Sequence, residues 1–208
     1  MWIQIALCGI SGRNLIFVCV KKLFLLSLVI WSVAVSGQVV NFAKTLPQRS
    51  FSVGLASSYH IDNDVILFDA GGMAYFVNAG YGLQYSIDLN LKYGYFVNGT
   101  DYMSVDMQYL LHESRQSYFS VIAGLHRWDE YGFDLTGLYT FAFRYWLNFS
   151  AGVDMDLDFA TDVNPRFWVP LNVGFIANEV MFVYLEYNLP VSERAWDIVA
   201  LGINFIIR

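Results

Sequence analysis

From Ser50 to the C-terminus the chain alternates apolar and polar residues with a period of two, the mark of strands that show different faces to different surroundings. The clearest run sets Leu147, Phe149, Ala151, Val153, Met155, Leu157 and Phe159 against Asn148, Ser150, Gly152, Asp154, Asp156 and Asp158. The last run sets Val199, Leu201, Ile203, Phe205 and Ile207 against Ala200, Gly202 and Asn204. Met103, Val105, Met107 and Tyr109 alternate with Ser104, Asp106 and Gln108, and Ile87 to Tyr95 alternate with Asp88, Asn90, Lys92 and Gly94. Turn-forming clusters separate the runs at Asn98–Asp101, His112–Ser117, Asp129–Asp134, Ala177–Glu179 and Pro190–Ala195. The pattern predicts ten strands, near 50–60, 72–84, 87–96, 102–111, 118–128, 135–144, 147–159, 165–176, 180–189 and 196–207, and no long amphipathic helix.

The polar faces of these strands are built from Gly, Ser, Asn and Asp, whereas a soluble barrel turns its polar face outward and enriches it in Lys and Glu. Composition agrees: 56% of residues are hydrophobic and only 14% charged, against roughly 25% charged in ordinary soluble domains. Strands of about nine to eleven residues cross a bilayer when tilted, and only helices and closed barrels satisfy every backbone group there. The expected fold is therefore all-β: a closed antiparallel transmembrane β-barrel of about ten strands, with eight as the alternative. An even count puts both termini at one end. The longer connectors at the other end then carry Asp62, Asp64, Asp69, Asp101, Asp129, Glu130, Asp134, Asp162 and Glu193. Tyr93, Tyr95, Phe96, Trp128, Tyr145, Trp146, Phe159, Phe167, Trp168 and Trp196 lie near strand ends, as the residues of headgroup-level aromatic girdles do.

Lys21 and Lys22 precede an apolar run from Leu23 to Val35 that is short for a membrane span and ends in the small residues Ser36 and Gly37. This is the grammar of a secretory signal cut before Gln38. Residues 1–19 are themselves apolar and fit no ordinary n-region, and Val20 reads as an alternative start. The expected organisation is 1–37 as extension plus cleaved signal, 38–49 as a short periplasmic segment and 50–208 as the barrel. Both cysteines, Cys8 and Cys19, precede the cut, so no disulfide, thiolate nucleophile or thiolate metal site is expected in the mature chain. Losing Arg13, Lys21 and Lys22 from 12 basic residues leaves 9 against 18 acidic, a net charge of −9, which argues against a nucleic-acid partner.

The signal, the amphipathic strands and the terminal strand ending Gly202-Ile203-Asn204-Phe205-Ile206-Ile207-Arg208 together resemble small outer-membrane β-barrel proteins of Gram-negative envelopes, over residues 50–208. The resemblance implies location in the cell outer membrane, contact with outer-membrane lipids, and recognition of the C-terminal strand, through Phe205, by the barrel-assembly machinery. It is one of pattern and carries no catalytic motif.

Candidate chemistry is sparse. His112-Glu113-Ser114 superficially resembles the His-x-Ser of lipid A deacylases, but falls in an expected periplasmic turn and reads as solvated. His60 and His126 fall on inward faces as hydrogen-bonded fillers, and the dispersed histidines have no metal-ligand spacing. Trp128, Trp168, Tyr102, Lys92 and Arg166 are expected to point inward, filling a barrel of this size. Lys92 and Asp106 are expected to pair across the hairpin at Asn98–Asp101, with Phe96 opposite Tyr102. Asp154, Asp156 and Asp158 share one face about 7 Å apart, so adjacent pairs repel by about 2.4 kcal/mol at a dielectric near 20 and about 0.6 in water. Arg166 is expected opposite Asp158, with Asp134 crowding the same rim. The ladder is the candidate site for a divalent cation, Ca2+ or Mg2+; no other cofactor is expected. A structural or surface-interaction role without catalysis is the expected function, ahead of a narrow channel for ions or small solutes and a lipid-modifying enzyme.

Overall fold

The computed structural model of the chain describes residues 42–61, 72–128, 130–159, 165–193 and 195–208. The expected signal and the loop residues Asp62, Asp64, Asp69, Asp129 and Asp162 lie outside the described residues. Ten strands follow one another: β1 (Phe51–Ile61), β2 (Met73–Gln84), β3 (Ile87–Phe96), β4 (Asp101–Glu113), β5 (Ser117–Trp128), β6 (Glu130–Arg144), β7 (Leu147–Asp158), β8 (Arg166–Ile176), β9 (Met181–Pro190) and β10 (Asp197–Ile207). Each pairs antiparallel with its neighbours, and β10 returns to β1 from Phe51↔Ile207 to Ile61↔Asp197, closing the barrel. Among the described residues no helix is long and apolar enough to cross a membrane.

Burial alternates residue by residue and is inverted relative to a soluble protein. Leu55, Leu91, Val105, Leu125 and Val153 stand exposed on the outer wall, while Asn78, Asp106, Gln108, Asp154 and Asn188 are buried inside. Outward apolar and inward polar residues are what a bilayer selects, because charge on the lipid face is costly and the lumen is the only polar refuge. At the end carrying both strand termini the hairpins are short, with register shifts at Gly82/Gln84, Leu110/His112 and Ala142/Arg144. Bulges at such rims raise the local twist.

Three expectations need correction. First, β6 begins at Glu130, which pairs with Trp128, so Asp134 is a strand residue facing inward rather than part of a six-residue loop. Second, β3 and β4 pair as Gly94↔Tyr102 and Lys92↔Ser104, two residues away from the expected alignment. The reason is the turn: Gly99 takes φ +94° and donates its amide to the Phe96 carbonyl, while Phe96 donates to the Thr100 carbonyl. This three-residue Val97-Asn98-Gly99 loop closes earlier than a four-residue turn. Third, Phe96 and Trp196 are not girdle residues but join Trp128 and Trp168, which point inward as expected, in an internal layer, whereas Tyr93, Tyr95, Tyr145, Trp146 and Phe159 remain exposed where a girdle needs them.

Residues 42–50 do not hang free at the terminal mouth but fold into it. The Ala43 amide donates to Thr140 Oγ1 (3.0 Å), the Leu46 amide to Asp88 Oδ2 (2.7 Å), and the Gln108 side chain donates to the Phe42 carbonyl. Phe42 packs edge-on against Phe182 at 4.2 Å. Gly174 makes that seat possible, since a Cβ there would lie 2.4 Å from the Phe42 ring.

Candidate functional site

The lumen is layered. At the far mouth, the indole of Trp128 stacks on Phe96 at 4.9 Å, and Trp196 meets Trp128 and Trp168 edge-on at 5.4 and 6.0 Å. The Trp168 indole N–H donates to the Trp196 carbonyl (3.0 Å), and His60 leans on Phe96 and Trp196. The Arg166 guanidinium lies 5.5 to 6.0 Å from the rings of Trp128, Trp196 and Trp168, within cation–π range. The space beneath this cap, between His60, Tyr102, Trp168 and their neighbours, is about 30 Å3.

Below the cap sits a charge cluster assembled by strand parity. Asp134 on β6 stands directly opposite Asp156 on β7, which stands opposite Arg166 on β8. Arg166 Nη2 donates to Asp156 Oδ2 (2.9 Å) and Asp158 Oδ1 (3.0 Å). Arg166 was expected opposite Asp158; direct pairing falls on Asp156, yet the long guanidinium arm reaches both. His126 on β5 completes the group: its Nδ1 lies 2.7 Å from Asp134, and its Nε2 lies 3.1 Å from Asp156 and 3.2 Å from Asp158. Gly132 opposite leaves the room, because a Cβ there would come within 2.2 Å of the imidazole. With both ring nitrogens facing carboxylates, the contacts hold only if each carries a hydrogen or a facing carboxyl does.

Asp154 stands apart from this group. It pairs across the wall with Trp168 and accepts the Thr136 hydroxyl at 2.5 Å. The three residues whose ligand atoms converge, within 4.8 Å of one another, are His126, Asp156 and Asp158. Carboxylate and imidazole donors suit a divalent ion, but the guanidinium of Arg166 already bridges both carboxylates.

Toward the terminal mouth, Lys92 Nζ lies 2.7 Å from Asp106 Oδ2, with both side chains buried. The expected pair therefore forms, diagonally rather than face to face: Ser104 is opposite Lys92, and its hydroxyl donates to Asp106 Oδ2 at 3.2 Å. Glu186 and Asn188 are buried beside each other on β9. Lower still, a cavity of about 290 Å3 is lined by the folded-in N-terminal segment together with Asn78, Asp88, Asn90, Gln108 and Asn204.

His126 was legible as an inward residue but not as the centre of a cluster, because its partners come from two strands 8 to 32 residues later. Asp134 was hidden by the acidic look of its segment. The folded-in segment 42–50 carries no periodic signal.

An apolar outer wall, a polar filled lumen and a closed ten-strand ladder define a transmembrane β-barrel of the outer-membrane type. No protein-family profile matches the chain, and no curated protein matches it. Among solved structures it is similar to the N-terminal β-barrel domain of Pseudomonas aeruginosa OprF, at 15% identity and a TM-score of 0.36, over 77% of this chain and 98% of that one. It is also similar to the Acinetobacter baumannii outer membrane protein Omp33, at 8% identity and a TM-score of 0.42, over 77% and 98%. A third is a bacterial polysaccharide outer membrane secretin, at 12% identity and a TM-score of 0.39, over 76% and 66%.

Removing one partner of a buried ion pair leaves an uncompensated charge and costs about 3–5 kcal/mol. Lys92→Met is expected to lower barrel stability by that order, and adding Asp106→Asn to restore most of it, as read by urea unfolding from lipid vesicles. Strictly additive losses would show that the pair is not coupled.

Proposed function

We propose that the protein is a closed barrel of the outer membrane with a structural or surface-interaction role and no open conduit through it. The observation that carries this reading is the plugging of the lumen in three successive layers: the tryptophan cap, the crosslinked charges of Arg166, His126 and Lys92, and the N-terminal segment at the terminal mouth. In this reading that mouth faces the periplasm. The acidic far-end connectors face outward. The β10 strand, with Phe205 on its outer face and Arg208 beside Glu179, is the element offered to the assembly machinery.

A catalytic role finds little support in the described side chains. His112 and Ser114 are exposed, and the Ser114 hydroxyl is engaged with Ser117 at 2.7 Å. Ser58 is fully buried, and His60 is packed among aromatic rings. Lipid A from cells with and without the gene is expected to give the same mass spectrum; a changed acyl pattern would make the protein an enzyme.

In planar bilayers the full-length protein is expected to give no unitary current steps even in molar potassium chloride. Reproducible steps from heat-modifiable, folded protein would overturn the closed-barrel reading in favour of a narrow channel.

Asp156 and Asp158 of the aspartate ladder are proposed to be neutralised from within, by Arg166 and His126. Millimolar calcium or magnesium is then expected to shift the melting of the wild type little and that of Arg166→Gln upward, because the variant leaves Asp156 and Asp158 without their bridging cation. A large divalent shift in the wild type that Asp156→Asn abolishes would instead assign the ladder to a metal ion.

A further inference from the structure

The cavity of about 290 Å3 at the terminal mouth is polar in an unusual way, because most of its polar lining is carboxamide. Asn78, Asn90, Gln108, Asn148 and Asn204 reach it from β2, β3, β4, β7 and β10. Two glycines let these side chains crowd together. Gly54 lies between Asn78 and Asn204 across its two ladders, and a Cβ there would come within 2.2 Å of Asn78 Oδ1 and 1.5 Å of Asn204 Oδ1. Gly80 lies in the same way between Ser52 and Asn90, and a Cβ there would come within 2.7 Å of Asn90 Oδ1.

The charged groups of the lining cancel, Lys44 and Arg208 against Asp88 and Glu179, and each is already engaged. Lys44 lies over the Tyr118 ring at 5.2 Å, Asp88 Oδ2 accepts the Leu46 amide, and Arg208 meets Glu179 at the exposed rim. The amides retain unused capacity. Asn78 donates to Asn204 Oδ1 (3.1 Å) and Gln108 to the Phe42 carbonyl, but among the described residues the side chains of Asn90 and Asn148 have no hydrogen-bond partner. Asn90 is only 8% exposed. A buried amide without a partner is costly, and asparagine is a poor strand former besides. Phe42 and Phe182, edge-to-face at 4.2 Å, supply an apolar wall to the same cavity.

We propose that this cavity binds one pyranose ring, either a free monosaccharide or the terminal sugar of a glycan. Each carboxamide both donates and accepts, as does each sugar hydroxyl. The C–H face of the ring suits the negative face of an aromatic side chain. Cancelled and engaged charges favour a neutral ligand over an ionic one. The volume lies at the lower bound, roughly 300 Å3, of small-molecule sites, which limits the occupant to a single ring. The exposed Glu179–Arg208 rim lets that ring enter from the terminal mouth. Only the statement that this mouth faces the periplasm rests on the reading given above.

The test is saturation-transfer NMR on the full chain folded in lauryldimethylamine oxide, a detergent without a sugar headgroup. The probes are D-glucose, D-galactose, D-mannose and N-acetyl-D-glucosamine, with N-methylacetamide as a peptide-amide control. At least one sugar is expected to receive saturation from the protein. Asn90→Leu and Asn148→Leu are each expected to reduce that transfer at least five-fold without lowering the melting temperature, since leucine replaces an unpartnered amide. Ala79→Leu, on the outward face of β2, is expected to leave it unchanged. Transfer retained by the methyl glycoside of the bound sugar assigns the site to a glycan end; transfer lost on methylation assigns it to the free monosaccharide. No transfer to any of the four sugars on a folded, heat-modifiable barrel, undiminished transfer in both asparagine variants, or equal loss in Ala79→Leu would overturn the proposal. Stronger transfer to N-methylacetamide that Asn90→Leu abolishes would give the cavity to a peptide and overturn it equally. Any of these failures leaves the sealed barrel standing, and unitary currents would overturn the sealed barrel without touching the cavity.

Discussion

The structure depends on one constraint: in hydrocarbon every backbone N–H and C=O must find its partner within the protein. An open sheet leaves two edges unsatisfied; pairing β10 with β1 along its full length removes both. Closure then fixes the parity of every residue, because the side-chain period is two and a slip of one residue in any hairpin would turn a whole face of that strand into lipid. The bulges fall at the terminal hairpins, where the wall meets the headgroups, and leave most of the ladder in register.

Parity also decides what the lumen must solve. Polar side chains gathered on the inner faces turn to one another, although some buried atoms, among them the Ser58 and Tyr184 hydroxyls and the Trp196 indole N–H, have no hydrogen-bond partner within the protein. Arg166, His126 and Lys92 are each placed against carboxylates from neighbouring strands, and hydroxyls from Thr136 and Ser104 take part of the remaining capacity. Such a network is costly to break, since each member removed strands a buried charge. The same side chains fill much of the lumen, and beneath a tryptophan layer whose rings hold a guanidinium the free space is about 30 Å3.

How much of this was readable in the sequence follows from the range of each interaction. Strand existence and face depend on the next-nearest residue, so Leu147 to Asp158 announced both. Which residues stand inside was equally local, and Lys92, Asp106, Arg166 and His126 are all where alternation puts them. Register depends on turn geometry: one residue in the left-handed region, Gly99, moved the Lys92 pairing by two positions without breaking the contact, because a lysine reaches diagonally. The centre of the charge cluster was out of reach, since His126, Asp134 and Asp156 meet only once three strands are aligned. Segment 42–50 was unreadable for another reason: it is held by its backbone amides and carbonyl on Thr140, Asp88 and Gln108, and those groups leave no trace in residue type.

The exception at Pro170 shows how the constraint and the filling interact. A central proline in a closed barrel removes a ladder donor at the place where nothing else can supply one, yet here β8 keeps its register to β9 and only the β7 side gives way. At Gly152, β7 lies close to β6, where a Cβ would come within 2.3 Å of the Gly137 carbonyl oxygen. Behind the seam stands a filled lumen, not a water column: Trp168, Asn188 and Asp154 are all buried there. The lapse is thus confined to the β7 side of one strand and lies against buried side chains.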